Sequence, residues 1–374
     1  MSVGASRLRT YRQISLPMAT PALLTVAHLV LMAVFTDFGT PRIIGGDVSV
    51  LPVLVYHEFL SEVTGNPGMA STGALLMVAV STAVLMLQRL LLAGRSYALA
   101  GASRVARRPL SRRLTVLVLV WTGVVFLLAF VPHLVILAVS FLTWHADIPG
   151  LPLTLGNYDT LVKHSLAPVV VSYALSLVST LLAVSAGGVL AYIAVRKSFR
   201  VLSPGLGALA MVPYVIPGTV LAIGLIVLFN RPPLRLTGTA AILVLAYLVR
   251  KLPYALKSAE AALHQVHPSL EEAAQSLGAS PGRAFRDVTL RLILPGLVSG
   301  ATLTFLMTLT ELSATIMLYG AATTTMSVVI LQAAMGMGGQ FGLAAAAAVA
   351  MMVSVYVPLY LLRRRVPALA AGGA

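Results

Sequence analysis

Apolar positions along this chain gather into eight runs, each long enough to cross a bilayer as a helix, which takes about 20 residues. They lie near 16–36, 72–94, 114–143, 168–195, 203–229, 238–256, 292–312 and 341–362. Arg250 and Lys251 interrupt the sixth of these, so its membrane part is expected to end near Leu248. The pattern predicts an all-α, polytopic membrane protein with about eight transmembrane helices.

The runs are not independent, because one stretch occurs twice without a gap. Ser2-Val3-Gly4-Ala5-Ser6 lines up with Ser276-Leu277-Gly278-Ala279-Ser280, and Tyr11-Arg12 with Phe285-Arg286. The register continues through Pro21 on Pro295, Thr36-Asp37 on Thr310-Glu311, Gly46 on Gly320, and Val53-Leu54-Val55 on Ser327-Val328-Val329. In a membrane protein such repeats usually form pseudo-symmetric bundles around a shared path. Four domains are expected: 1–94, the end of a first module with two helices; 95–113, a basic linker; 114–365, a complete six-helix module; and 366–374, a tail. The first module then lacks four helices, and either the same longer chain or a second polypeptide is expected to supply them.

Composition agrees with the span map. Of 374 residues 58% are hydrophobic and only 10% charged, against about 25% charged in an ordinary soluble domain. The net charge of +15 could suggest a nucleic-acid partner, but all 26 Lys and Arg except Arg42, Lys163, Arg231 and Arg235 fall on one side if residues 1–15 are cytoplasmic. Such asymmetry orients a multi-pass protein with both termini inside, and the basic residues lack the interleaved aromatics that stack on bases. Linker 95–113 carries six arginines and no acid, as either a plain helix anchor or a regulatory segment. The absence of cysteine removes disulfides and thiolate ligands.

The longest polar stretch of the second module runs from Lys251 to Leu290. Within it Ser269 is placed to cap a short helix, with Glu272 completing a capping box, and Gly278 to close it in a left-handed C-cap. A helix this short cannot bury an apolar face alone, which points to a docking partner. Glu272-Ala273-Ala274, three residues, Gly278 and nine residues to Val288 resemble the cytoplasmic signature of permease subunits of bacterial ATP-binding-cassette importers, E-A-A, three, G, nine, I-x-L-P. The first copy supplies the back half from Gly4 to Ile14-Ser15-Leu16-Pro17. The second has Arg291 where the proline belongs and Ile293-Leu294-Pro295 after it, so its turn into the membrane is expected to be displaced.

That resemblance, to type I importers and in particular to fused two-module iron(III) and 2-aminoethylphosphonate permeases, implies several things at once. The loop Glu272, Ala273, Ala274 and Gly278, with Gly4 in the other copy, would couple to a dimer of separate ATPase subunits. An extracytoplasmic binding protein would deliver the substrate, and the chain would sit among lipids of the bacterial inner membrane. It would bind no cofactor, ATP and Mg belonging to the partner. The residues themselves agree, since no Gly-x4-Gly-Lys-Ser/Thr phosphate cradle occurs and the helix interiors lack the relays of ionisable groups that proton-driven carriers use.

For the path, the repeat puts Asp37 and Glu311 at equivalent positions, expected at the outer end of their helices. They either line the path as a carboxylate pair suited to hard cations or face water and neighbouring helices. The segments after them resemble ferric-iron permeases, making iron(III) the leading substrate, with 2-aminoethylphosphonate, thiamine and polyamines as alternatives. Pro213 and Pro217 interrupt the run at 203–229, as a pathway wall or as a packing kink. His28 and His133 read as packed or hydrogen-bonded side chains rather than ligands, and no metal site is assigned. An ATPase-independent channel or carrier is the rival from another class.

Overall fold

A computed structural model describes residues 6–46, 48–61, 65–92, 111–145, 148–196, 209, 212–214, 216–336 and 340–365. Gly4, linker residues 95–110 and the tail 366–374 lie outside the described residues. The helices, in order, are α1 (Arg7–Thr10), α2 (Leu16–Phe35), α3 (Gly39–Ile44), α4 (Leu51–Leu60), α5 (Pro67–Leu92), α6 (Arg112–Ser140) and α7 (Gly156–Arg196). After a partly described stretch come α8 (Gly218–Phe229), α9 (Ala240–Gln265), α10 (Ser269–Ser276), α11 (Pro281–Ala284), α12 (Leu290–Leu309), α13 (Thr315–Leu318), α14 (Met326–Met335) and α15 (Phe341–Arg365). A small antiparallel hairpin, β1 (Leu142–His145) with β2 (Ile148–Leu153), joins α6 to α7.

Among the described residues six helical stretches are long and apolar enough to cross a membrane: Leu16–Phe35, Pro67–Gln88, Arg112–Ser140, Gly156–Arg196, Pro281–Leu309 and Phe341–Leu361. The remaining two expected spans differ in instructive ways. The run at 203–229 does not form one bent helix, because Pro217 is extended (φ −57°, ψ 145°) and α8 starts only after it. The run at 238–256 stays helical past Leu248, where its membrane part is expected to end. Its helix α9 continues to Gln265, with Lys251 buried, because an acidic partner neutralises the charges that were read as a boundary. Ahead of the apolar run at 168–195 the chain is already helical, since α7 starts at Gly156 and bends at Ser165 (φ −129°, ψ 15°). Pro168, three residues on, lacks an N–H and its ring clashes with the carbonyl of residue 164, which accounts for the bend.

The sequence repeat is a backbone repeat. A five-residue π-helical segment precedes each long helix, Tyr11–Ser15 before α2 and Phe285–Thr289 before α12. Both long helices have 20 residues and an internal proline, Pro21 or Pro295. They end alike, at Thr36 (φ −100°, ψ 4°) and Thr310 (φ −93°, ψ 8°). No turn interrupts either copy, since the helix runs through Arg291 in the second as it does through Pro17 in the first. The register slips once. The ten-residue helices α4 and α14 begin at Leu51 and Met326, so Val53 pairs with Val328 rather than with Ser327.

Close packing gathers these pieces around α9. A Cβ on Gly187 of α7 would come within 2.8 Å of Leu256 N, and one on Gly300 of α12 within 2.6 Å of Ser258 Cβ. Small residues thus let α7 and α12 lie against α9, the usual means of helix association where apolar burial gives no driving force. The main apolar cluster spans both copies, with Phe38 and Val53 of the first against Tyr247, Ile316 and Val328 of the second. The small-residue run from Gly342 also packs closely, Ala346 and Ala347 lying fully buried beside Leu161. His133 bonds to Ala129 O and Tyr356 Oη, and His28 is packed inside the fold.

Candidate functional site

Both copies of the repeat turn over after the long helix, and the two turns meet. In the first, Asp37 Oδ1 accepts the N–H groups of Gly39 (3.1 Å) and Thr40 (3.3 Å). In the second, Glu311 Oε1 accepts the N–H of Ala314 at 3.2 Å. Gly39 lies so close to the other turn that a Cβ there would fall 2.8 Å from Leu312 Cδ2. Helix α9 passes behind, and its central residues reach Glu311: Arg250 Nη1 donates to Oε1, and Lys251 Nζ donates to Oε2 at 2.5 Å. Glu311 is 7% exposed, so the pairs are buried and a carboxylate without them would carry a large desolvation cost. Tyr247 Oη, one turn earlier on α9, bonds Thr315 Oγ1 at 2.7 Å and ties the same two elements together.

Two cavities open around this cluster. One of about 540 Å³ is lined by Asp37, Thr40, Arg250, Lys251, Glu311 and Ser313, among others. The other, about 140 Å³, is lined by Thr36, Pro213, Tyr214, Arg250, Lys251 and Tyr254 with Met32 and Ala33. Asp37 and Glu311 are wall residues of the larger cavity and Pro213 of the smaller. Pro217 is buried at the start of α8 and lines neither cavity. Asp37 and Glu311 line the larger cavity together, and among the described residues α9 supplies cations to Glu311 alone. Glu311 follows the end of its helix α12 as Asp37 follows that of α2, and it packs against the middle of α9. No group of three or more His, Cys, Asp or Glu stands together among the described residues.

The loop with the Glu-Ala-Ala run forms a rigid, exposed knob. Helix α10 begins at Ser269 and its N-cap is Pro268, so Ser269 is inside the helix and the expected capping box does not form; Ser269 Oγ instead bonds His267 Nδ1 at 2.7 Å. The C-terminal expectation holds. Gly278 has φ +92°, its N–H reaches Gln275 O (2.9 Å) and that of Ala279 reaches Ala274 O (3.1 Å), the paired bonds of a Schellman motif. Glu272 and Ala273 are exposed, Ala274 is half-buried, and Leu277 stands 90% exposed at the tip.

What anchors this knob is Glu271, which sequence reasoning passed over as a neighbour of the motif. Its Oε1 accepts from Tyr192 Oη of α7 (2.5 Å) and its Oε2 from Thr289 Oγ1 of the π segment (2.8 Å). Arg196 adds a bond to Val266 O at 2.6 Å, and Phe285 packs edge-on to Tyr192. The two bundle helices and the knob are thus joined by charge-assisted bonds, among the stronger hydrogen bonds available to a protein.

Residues 183–369 match the family described as the binding-protein-dependent transport system inner membrane component. The chain belongs to this permease family. A Haemophilus influenzae permease named for ferric transport is 30% identical over 335 residues, 86% of this chain and 51% of that protein. The ferric transport system permease protein of Actinobacillus pleuropneumoniae is 29% identical, over 92% of this chain and 50% of that one. A Salmonella paratyphi A permease named for 2-aminoethylphosphonate transport is 29% identical over 56% of this chain and 79% of its own length. The chain thus spans about half the length of the ferric-transport relatives. Among solved structures, a bacterial ABC transporter that imports the acidic polysaccharide alginate shares the fold, with a TM-score of 0.56 over 67% of this chain and 96% of that one at 20% identity. The same transporter in complex with a periplasmic protein bound to an alginate pentasaccharide has a TM-score of 0.56, 18% identity, and coverage of 67% of this chain and 92% of that one. The family so described is an inner-membrane component of binding-protein-dependent transport systems.

Proposed function

We propose that this permease works in an ATP-driven importer, moving a substrate handed over by an extracytoplasmic binding protein, with iron(III) as the leading cargo. The observation that carries the reading is the α10 knob. It presents the signature residues Glu272 to Gly278 outward while Glu271 fixes the knob to α7 and α12, an arrangement suited to passing motion from a docked ATPase dimer into the helices. Domain limits at 94, 113 and 365 and cytoplasmic termini go with this reading, with Gly4 in the matching loop of the first module. The path runs between the Asp37 and Glu311 turns, where the cavities lie. The ferric relatives support iron(III), and the relative named for 2-aminoethylphosphonate supports that cargo as the second reading.

The test is reconstitution of the complete transporter, with its ATPase and binding protein, in vesicles. ATP-dependent uptake is expected, falling together with cargo-stimulated ATP hydrolysis in Glu272→Ala. Uptake that persists without the ATPase, or that is indifferent to Glu272→Ala, would replace the importer with a channel or carrier.

A further inference from the structure

The charge around α9 is lopsided in a way that a transport path does not by itself require. Every oxygen of Glu311 is engaged, Oε1 by Arg250 and the Ala314 N–H, Oε2 by Lys251. This carboxylate has little left to offer a cation. Two cations to one carboxylate leave an excess positive charge at a site of low polarisability, where it is felt strongly. The larger cavity has a second acid, Asp37, in its wall. In the smaller no acidic side chain lines the wall among the described residues, and the wall carries Thr36, Tyr214 and Tyr254 beside Arg250 and Lys251.

Arg250 is also held where it can do more than neutralise Glu311. A guanidinium has five N–H donors in a planar fork that matches oxyanions, and one of them goes to Glu311. Its side chain borders both cavities. Gly218 makes room for it, since a Cβ there would lie 2.5 Å from Nη1 and 2.9 Å from Cζ. The guanidinium donors other than the one given to Glu311, beside the hydroxyls of Tyr214 and Tyr254, suit an oxyanion, and a bare metal cation would meet like charge.

We propose that Arg250, with Lys251, forms an oxyanion-recognising step on the path, so that cargo passes here as an anionic species, a phosphonate or iron(III) within an anionic complex. This rests on the permease reading above. The experiment uses the complete transporter in vesicles with three labelled probes: 2-aminoethylphosphonate, iron(III) citrate, and spermidine as a cation with no oxyanion. Wild type is expected to take up one or both of the first two and to leave spermidine. Whichever oxyanion is carried identifies the source.

In Arg250→Gln the half-saturating cargo concentration should rise about tenfold or more, the scale of losing a charged hydrogen bond, with partial recovery in Arg250→Lys. Glu311→Gln, which frees both cations, should lower it. Opposite signs are the mark of cargo recognition. Equal shifts in one direction would show a merely structural ion pair, and preferential uptake of spermidine by wild type, which needs no variant, would overturn the inference while leaving the permease intact. No ATP-dependent uptake of any probe and no stimulated ATP hydrolysis would remove the permease reading and this step with it.

Discussion

The turn at Thr36–Ile44 and the turn at Thr310–Leu318 have one backbone and two chemistries. Each begins with a threonine whose hydroxyl bonds the carbonyl four residues back, Met32 or Leu306. Each continues with an acid whose carboxylate accepts the N–H three residues on, from Thr40 or Ala314. These bonds are local, so repeating the sequence repeats them. The cations are not local. Arg250 and Lys251 lie some 60 residues before Glu311 and reach it only because α9 packs on α12. Asp37, among the described residues, keeps its backbone bonds and has no such ion pair. A duplicated segment therefore reproduces its own turns and caps, while its electrostatics depend on what packs against it.

The largest effect should come from breaking that difference. Glu311→Ala leaves a guanidinium that cannot lose its proton, and a lysine, buried without a counter-charge. A cost of about 3–5 kcal/mol is expected, the usual result of removing one partner of a buried pair. Asp37→Ala removes only the backbone bonds and should cost about 1 kcal/mol, as for a lost cap. Unfolding of the purified protein in detergent, followed for both variants, checks the ratio. Equal losses would mean that the ion pairs contribute nothing beyond the shared turn.

A second contrast lies between adjacent acids. Glu271→Ala strips the hydroxyls of Tyr192 and Thr289 of their acceptor and should cost about 2–3 kcal/mol. Glu272→Ala, on the exposed side, should stay within about 0.5 kcal/mol in the same measurement. Coupling should show the reverse for Glu272→Ala, with stability kept and cargo-stimulated ATP hydrolysis lost. A stable Glu271→Ala protein would mean that the knob is not held by this carboxylate.

Much of this was legible beforehand, and the exceptions have one cause. Periodicity located six apolar helices, and the ungapped repeat anticipated matching helix lengths and turn positions because these follow from short-range bonds. Gly278 was legible as a C-cap for the same reason. Arg250 and Lys251 were read only as the boundary of a span, since a charge in an apolar run shows no partner until the fold brings one to it. A signal was present: Glu311 is a lone acid beside an apolar run, and so few acids must find cations. Glu271 was missed because the family signature drew attention to Glu272 and because a residue with both bonds supplied by distant elements leaves no mark in local pattern. The break at Pro217 was read as a bend, a distinction that depends on what the chain packs against.

The smallest predicted effect concerns one glycine of the repeat, kept in both copies for different reasons. Gly46 has φ +55° with nothing near its missing side chain, so only backbone strain opposes a substitution. Gly320 has φ −123°, open to any residue, but a Cβ there would lie 2.9 Å from Gly238 O and 3.4 Å from Gly238 Cα, backbone atoms that cannot swing aside. Gly→Ala should cost about 1 kcal/mol at either position. Asparagine separates the two. Because it tolerates left-handed backbone better than alanine, Gly46→Asn should unfold later than Gly46→Ala, whereas the larger side chain should make Gly320→Asn unfold earlier than Gly320→Ala. The same ordering at both positions would show that the two turns are constrained alike.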